Sequence, residues 1–153
     1  MRRITITLAL CAVGGLLGYV LLVNPPASVA PTTPEEPARG VVLISAIEWV
    51  ESRGNATAEG EDDEVGILQI RPIMVEEVNR IVGRQRFTLD DRLDPEKSRE
   101  MFWIYTDHWN LKRHDHSDEG IARRWNGGPN GHNNTNTLDY WNRVAARIRT
   151  VGG

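Results

Sequence analysis

The chain has 153 residues, 40% of them apolar and 25% charged, enough for one domain with a hydrophobic core and ordinary for a globular protein. Its formal charge is −3, and −5 once the first thirty residues, which contain Arg2, Arg3 and no acid, are set aside; this argues against the basic surface of a nucleic-acid-binding protein. The single cysteine, Cys11, excludes a disulfide framework, so the domain must hold together by packing.

Met1-Arg2-Arg3 is followed by twenty uncharged residues, 4–23, long enough to cross a bilayer as a helix with the two arginines at its cytoplasmic end. Residues 1–23 also fit a secretory signal peptide, with small residues from Ala27 to Ala30 for cleavage and Pro31 disfavouring the cut. Either reading exports the remainder, to the periplasm or cell envelope, and the retained form anchors it to the inner membrane. Leu10 is too large to precede a lipid-modified Cys11. Residues 24–40 hold five of the eight prolines and read as an extended linker.

The domain, residues 41–153, opens with an apolar run ending "WVESRGN". On a helix, Ser45, Glu48 and Ser52 share a narrow polar face, while Glu51 follows Ile47 by one turn and Ile44 by two, placing a carboxylate at the edge of the apolar arc. The helix should stop near Gly54. A polar loop and the short apolar "ILQI" follow, and Pro72 opens a second helix. Asp94 and Pro95 read as N-cap and first residue of a third, with Phe102, Tyr105 and Trp109 at helical spacing. Ser117 caps a short fourth helix that stops at Gly127-Gly128. The fifth puts Leu138, Trp141, Val144 and Ile148 on one face. Five helices and no strand alternation make the class mainly α.

Three stretches hold candidate chemistry. Glu51 near a helix end has an ordinary explanation, a carboxylate turned out to water; its sharper reading is an acid kept protonated by partial burial, as cleavage of a glycosidic bond requires. In "GILQIRP", Gln69 is either incidental or an amide able to both donate and accept toward a sugar. In "ARRWNGGPNG", Asn, two glycines and Pro are ordinary helix punctuation. Alternatively Trp125 and Asn126 offer an indole face and an amide to a sugar, beside backbone left uncovered by Gly127 and Gly128.

In order, "AIEWVESRGN", "VGILQIRP", "IARRWNGGP" and "YWNRV" resemble the lytic transglycosylases and goose-type lysozymes, over roughly residues 41 to 145. The resemblance implies a lysozyme-like helical domain with a substrate cleft that acts on peptidoglycan strands without metal or cofactor. It implies Glu51 as general acid, Ser52 as a hydrogen-bonding neighbour, Gly66 and Gln69 as cleft-lining residues, Asn126, Gly127 and Gly128 as a sugar-contacting loop, and Tyr140 beside the cleft. Trp125 stands where most members have tyrosine, so Tyr140 or a water would replace the missing hydroxyl.

By the same resemblance, one glutamate cleaves the bond between N-acetylmuramic acid and N-acetylglucosamine and closes a 1,6-anhydro ring. The acidic run "EGEDDE", residues 59 to 64, reads as a solvated loop. In its alternative role, Asp62 or Asp63 holds a water and makes the protein a hydrolytic muramidase. A module that binds glycan without cutting it is the alternative from another class. The four histidines show no metal-ligand spacing on a helical face, and Trp103, Trp109 and Trp141 read as core.

Overall fold

A computed structural model describes residues 35–151 of the protein. The apolar segment at 4–23, Cys11, the small residues from Ala27 to Ala30 and the linker up to residue 34 lie outside the described residues. Five α-helices account for most of what is described: α1 (Glu35–Ser52), α2 (Pro72–Val82), α3 (Pro95–Arg113), α4 (Asp118–Gly127) and α5 (Leu138–Val151), with short 3-10 turns at Asp90–Leu93, Gly131–Asn133 and Thr135–Thr137. Extended structure among these residues is confined to the isolated bridges Glu59–Val65 and Val65–Ile70. None of these helices is long and apolar enough to cross a membrane.

Local chemistry sets the helix starts. Asp94 accepts from the backbone N–H groups of Glu96 and Lys97, and Ser117 from that of Gly120, satisfying donors that a helix leaves orphaned at its first turn. Pro72 and Pro95 occupy the first turns of α2 and α3, where a missing N–H breaks no hydrogen bond. The same tolerance applies to Pro37, and α1 accordingly begins at Glu35, inside the stretch that composition marks as linker.

The core gathers Leu43, Ile44, Ala46 and Ile47 of α1 with Leu68 and Ile70 of the loop, Val75 and Val78 of α2, Met101, Phe102 and Tyr105 of α3, Ala122 and Trp125 of α4, and Tyr140 and Val144 of α5. Trp103, Trp109 and Trp141 pack against its edge, partly buried, as their helical spacing predicts. The packing around α1 corrects its expected polar face: Val41, Ser45 and Trp49 form the exposed stripe, whereas Glu48 is 6% exposed. Glu48 is held in an ion pair with Arg99 of α3, with Nε–Oε1 2.6 Å. Helix α1 is enclosed on more sides than a surface helix, and Glu48 stays buried because Arg99 supplies the charge-assisted bonds its carboxylate needs.

A second buried ionic contact fixes α4 to the end of α3. Arg124 is fully buried; its guanidinium donates to Asn110 Oδ1 (2.8 Å) and to Asp115 through both the backbone oxygen (3.1 Å) and Oδ2 (2.9 Å). Arg124→Ala strips three acceptors of their donor and empties the space the buried guanidinium fills. The expected loss is about 3 kcal/mol, measured as a lower midpoint in urea denaturation.

Candidate active site

Glu51 is the penultimate residue of α1, and the end of that helix is tightly fixed. The Arg53 N–H donates to the Trp49 carbonyl (3.1 Å) and the Gly54 N–H to the Glu48 carbonyl (3.3 Å). This closure requires left-handed backbone, which Arg53 (φ +60°) and Gly54 (φ +78°) adopt. Ser52 Oγ donates to the Ile67 carbonyl at 2.8 Å, tying the last turn to the loop that carries "GILQ". Ser52 is therefore a hydrogen-bonding neighbour of Glu51 that acts on the backbone.

Two side chains from distant helices converge on one carboxylate oxygen. Glu51 Oε1 accepts from the Tyr140 hydroxyl at 2.6 Å and from the Trp125 indole N–H at 3.1 Å. Oε2 accepts no hydrogen bond among the described residues, so in the protonated acid it is the oxygen that bears the proton. Burial pushes the Glu51 pKa up to about 7 and the charge of Glu64 adds to the rise; the Tyr140 and Trp125 hydrogen bonds and the charge of Arg143 act in the opposite direction. Tyr140, itself buried against that carboxyl group, is held well above the usual tyrosine range and serves as a donor at any physiological pH. Tyr140→Phe removes a bond that favours the carboxylate, so the Glu51 titration moves above 7 while the domain stays folded. Carboxyl-carbon NMR titration of the variant checks this, and an unmoved midpoint would contradict the geometry.

The hydroxyl on the Glu51 carboxyl group belongs to Tyr140, and Trp125 adds a second donor. Its ring is 8% exposed and packs on Phe102 (centroids 4.9 Å apart) and Tyr105 (6.1 Å). The indole face expected to stack on a sugar is thus largely occupied by protein. What the residue offers the site is chiefly its N–H, a donor to Glu51.

Glu51 opens onto a cleft of about 620 Å³ walled by the "GILQ" loop, α2, α3 and the end of α4. Ile70, Ile73 and Met74 give it an apolar flank, while Asn126, Gly127, Gly128 and Pro129 form the opposite lip. A Cβ on Gly127 would lie 2.5 Å from Thr137 Cγ2, so the glycine lets the turn before α5 approach the end of α4. Asn126 and the two glycines thus all line the cleft.

The loop before α2 departs from expectation in three ways. Gly66 is not a cleft-lining residue: it has φ +80°, and a Cβ there would lie 2.0 Å from the Arg92 carbonyl oxygen, which makes it a packing requirement behind the cleft. Gln69 does line the cleft, but with left-handed backbone (φ +48°) and with its amide donating to the carbonyls of Gly66 (3.0 Å) and Ala58 (3.3 Å). It straps the loop together, and its donors are not available to a sugar. Asp62 and Asp63 do not line the cleft. Asp62 pairs with Arg71 at 3.5 Å, and Asp63 lies 3.7 Å from Arg92, whose Nη1 also takes the Asp63 carbonyl at 2.7 Å.

The second carboxylate of the cleft is instead Glu64. Within a run containing five acids, no sequence signal distinguishes it. It enters the cleft because the Val65–Ile70 bridge folds the chain back on itself directly after it. Glu77 of α2 also lines the cleft, and nothing local sets it apart from the adjacent Glu76. No group of three or more metal-ligating side chains occurs among the described residues.

A mainly helical domain whose first helix carries, at its end, a half-buried carboxyl group of raised pKa at the mouth of a cleft has lysozyme-like architecture. Residues 35–147 match the family model of the transglycosylase SLT domain, and the chain belongs to that family, whose members are peptidoglycan lytic transglycosylases. Comparison with curated proteins and with solved structures returned no match.

Proposed function

We propose that the domain cleaves the β-1,4 bond between N-acetylmuramic acid and N-acetylglucosamine with Glu51 as its single acid and base, leaving 1,6-anhydromuramic ends. The observation that carries this reading is the Glu51 carboxyl group: elevated to about 7 by burial, held at Oε1 by two donors, and facing a cleft. The proton on Oε2 passes to the glycosidic oxygen as its bond to C1 of the muramic acid breaks, and N-acetylglucosamine leaves as an alcohol. The resulting carboxylate is stabilised by the Tyr140 and Trp125 donors. It then takes the proton of the muramic acid 6-hydroxyl as O6 bonds to C1, which restores the acid and consumes no water.

Support for hydrolysis through Asp62 or Asp63 is weakened by their placement outside the cleft lining. Glu64 gives hydrolysis its remaining footing, since it lines the cleft and its charge acts on Glu51. Mass spectrometry of fragments released from purified peptidoglycan by the full chain separates the readings. Fragments lighter than hydrolysis products by one water support the proposal. Reducing ends overturn it and give Glu64 the water-activating role, while no release from several wall types leaves a glycan-binding module. The proposed substrate also places the domain outside the cytoplasmic membrane, with residues 1–23 as its export or anchoring segment.

A further inference from the structure

A second groove, about 330 Å³, runs between the last turn of α1 and α5, lined by Trp49, Val50, Arg53, Arg143, Ala146, Arg147 and Thr150. The groove brings three arginines together and includes no carboxylate among its lining residues. Seven other arginines of the domain are paired with carboxylates; Arg53, Arg143 and Arg147, like the scattered Arg84, Arg113 and Arg149, have no such partner among the described residues.

Their arrangement keeps the guanidinium edges available. Arg147 lies over the Trp49 ring at 4.2 Å and Arg53 over the same ring at 5.4 Å. Stacking occupies the flat face of a guanidinium and leaves its N–H groups free to bind an oxyanion. Arg147 Nε is buried without any hydrogen-bond acceptor, a donor short of a partner. The macrodipole of α1 explains a cation at Arg53, just past its C-terminus, but does not explain Arg143 and Arg147, which lie within α5. The Trp49 ring, 37% exposed, forms the floor on which two of the cations rest.

The groove adjoins the reaction centre. Arg143 stands over the Tyr140 ring at 5.6 Å, and Tyr140 is the residue that donates to Glu51. Arg143 is also near enough for its charge to act on the Glu51 carboxyl group. An anion that is part of the same polymer as the scissile bond is thus the occupant best placed to reach it. Peptidoglycan carries such anions, because the peptide stems attached to its muramic acid residues end in and bear free carboxylates.

We propose that Arg53, Arg143 and Arg147 bind a carboxylate of the substrate's peptide stem, making the α1–α5 groove a stem-recognition subsite. The assignment rests on peptidoglycan being the substrate. Phosphate-bearing wall polymers present similar anionic chemistry and are separated by the choice of substrates.

The test compares KM and kcat of the full chain on phosphate-free peptidoglycan with intact stems, on the same glycan stripped of stems by an amidase, and on peptidoglycan carrying phosphate polymers. For the wild type, KM should be about tenfold lower with stems than without, at similar kcat. Arg53→Gln combined with Arg147→Gln should abolish that difference and leave cleavage of stripped glycan unchanged, which also shows that the variant folds. The inference is overturned by equal KM values with and without stems, by a preference that survives the double substitution, by loss of activity on stripped glycan as well, or by a KM advantage seen only with phosphate polymers. Failure of the wild type to cleave either stemmed or stripped glycan overturns the functional reading itself, and the stem assignment with it. Independently of turnover, a soluble stem tripeptide added to the Glu51→Gln chain should shift the Trp49 indole N–H resonance, and an unmoved resonance counts against the groove.

Discussion

Glu51→Gln is expected to release peptidoglycan fragments at least about a thousandfold more slowly than the wild type while still binding the glycan. Removing a group that serves as both acid and base forfeits most of what general acid–base catalysis contributes, typically 10² to 10⁴-fold for each transfer. The amide preserves the local structure, because its oxygen still accepts from Tyr140 and Trp125 in place of Oε1. It should also stabilise the fold, in a pH-dependent way. The folded carboxyl group titrates near 7 against an ordinary value of 4.5, so between these pH values the unfolded chain is ionised while the folded one holds its proton. Wild-type stability present below about pH 4.5 is lost as pH rises through 7, whereas the glutamine variant has no such loss. The variant's advantage should therefore grow across that interval to roughly 3 kcal/mol and then level off, measured by urea denaturation at pH 5, 6, 7 and 8. Equal stability at all four values would show that Glu51 is not held as an acid, whatever the activity assay reports.

Gly66→Ala is the second change with a large expected effect, and it acts through the backbone. Its added Cβ would lie 2.0 Å from the Arg92 carbonyl oxygen at a position with φ +80°, so it meets both a clash and an unfavourable left-handed conformation. The carbonyl has little freedom to retreat. It accepts from Ser98 Oγ at 2.8 Å, and the Arg92 side chain is tied to the carbonyls of Leu89 (2.9 Å), Asp63 (2.7 Å) and Ile70 (3.2 Å). A loss of more than about 3 kcal/mol follows, and with it a Tm at least about 10 °C lower. Gly54→Ala is the control: it also has positive φ, but a Cβ there meets nothing within 4 Å, so its cost should stay near about 1 kcal/mol. If both glycines tolerate alanine equally, the loop is not pinned by Arg92 and the placement of Gln69 and Glu64 at the cleft loses its support.

The amino-acid sequence determined the helices of this protein. Asp94, Ser117, Pro72 and Pro95 act within one turn of themselves, and caps and prolines of this kind are readable without knowing what packs on what. It also marked Glu51, because a carboxylate at the edge of an apolar arc is visible from helical spacing alone. Only the tertiary structure decided what surrounds that carboxylate. Trp125 lies 74 residues away from it and Tyr140 89 residues away, and nothing local to either states that its donor atom ends on Oε1. Glu48 and Arg99, 51 residues apart, were equally silent about their pairing, so a polar face expected at the surface is buried. The choice of Glu64 over Asp62 and Asp63 depended on a turn pinned by the Arg92 carbonyl from another part of the chain. Helix ends are fixed by hydrogen bonds a few residues long, whereas the charge state of a buried group depends on every atom within several ångströms, and those atoms are assembled only when distant segments pack.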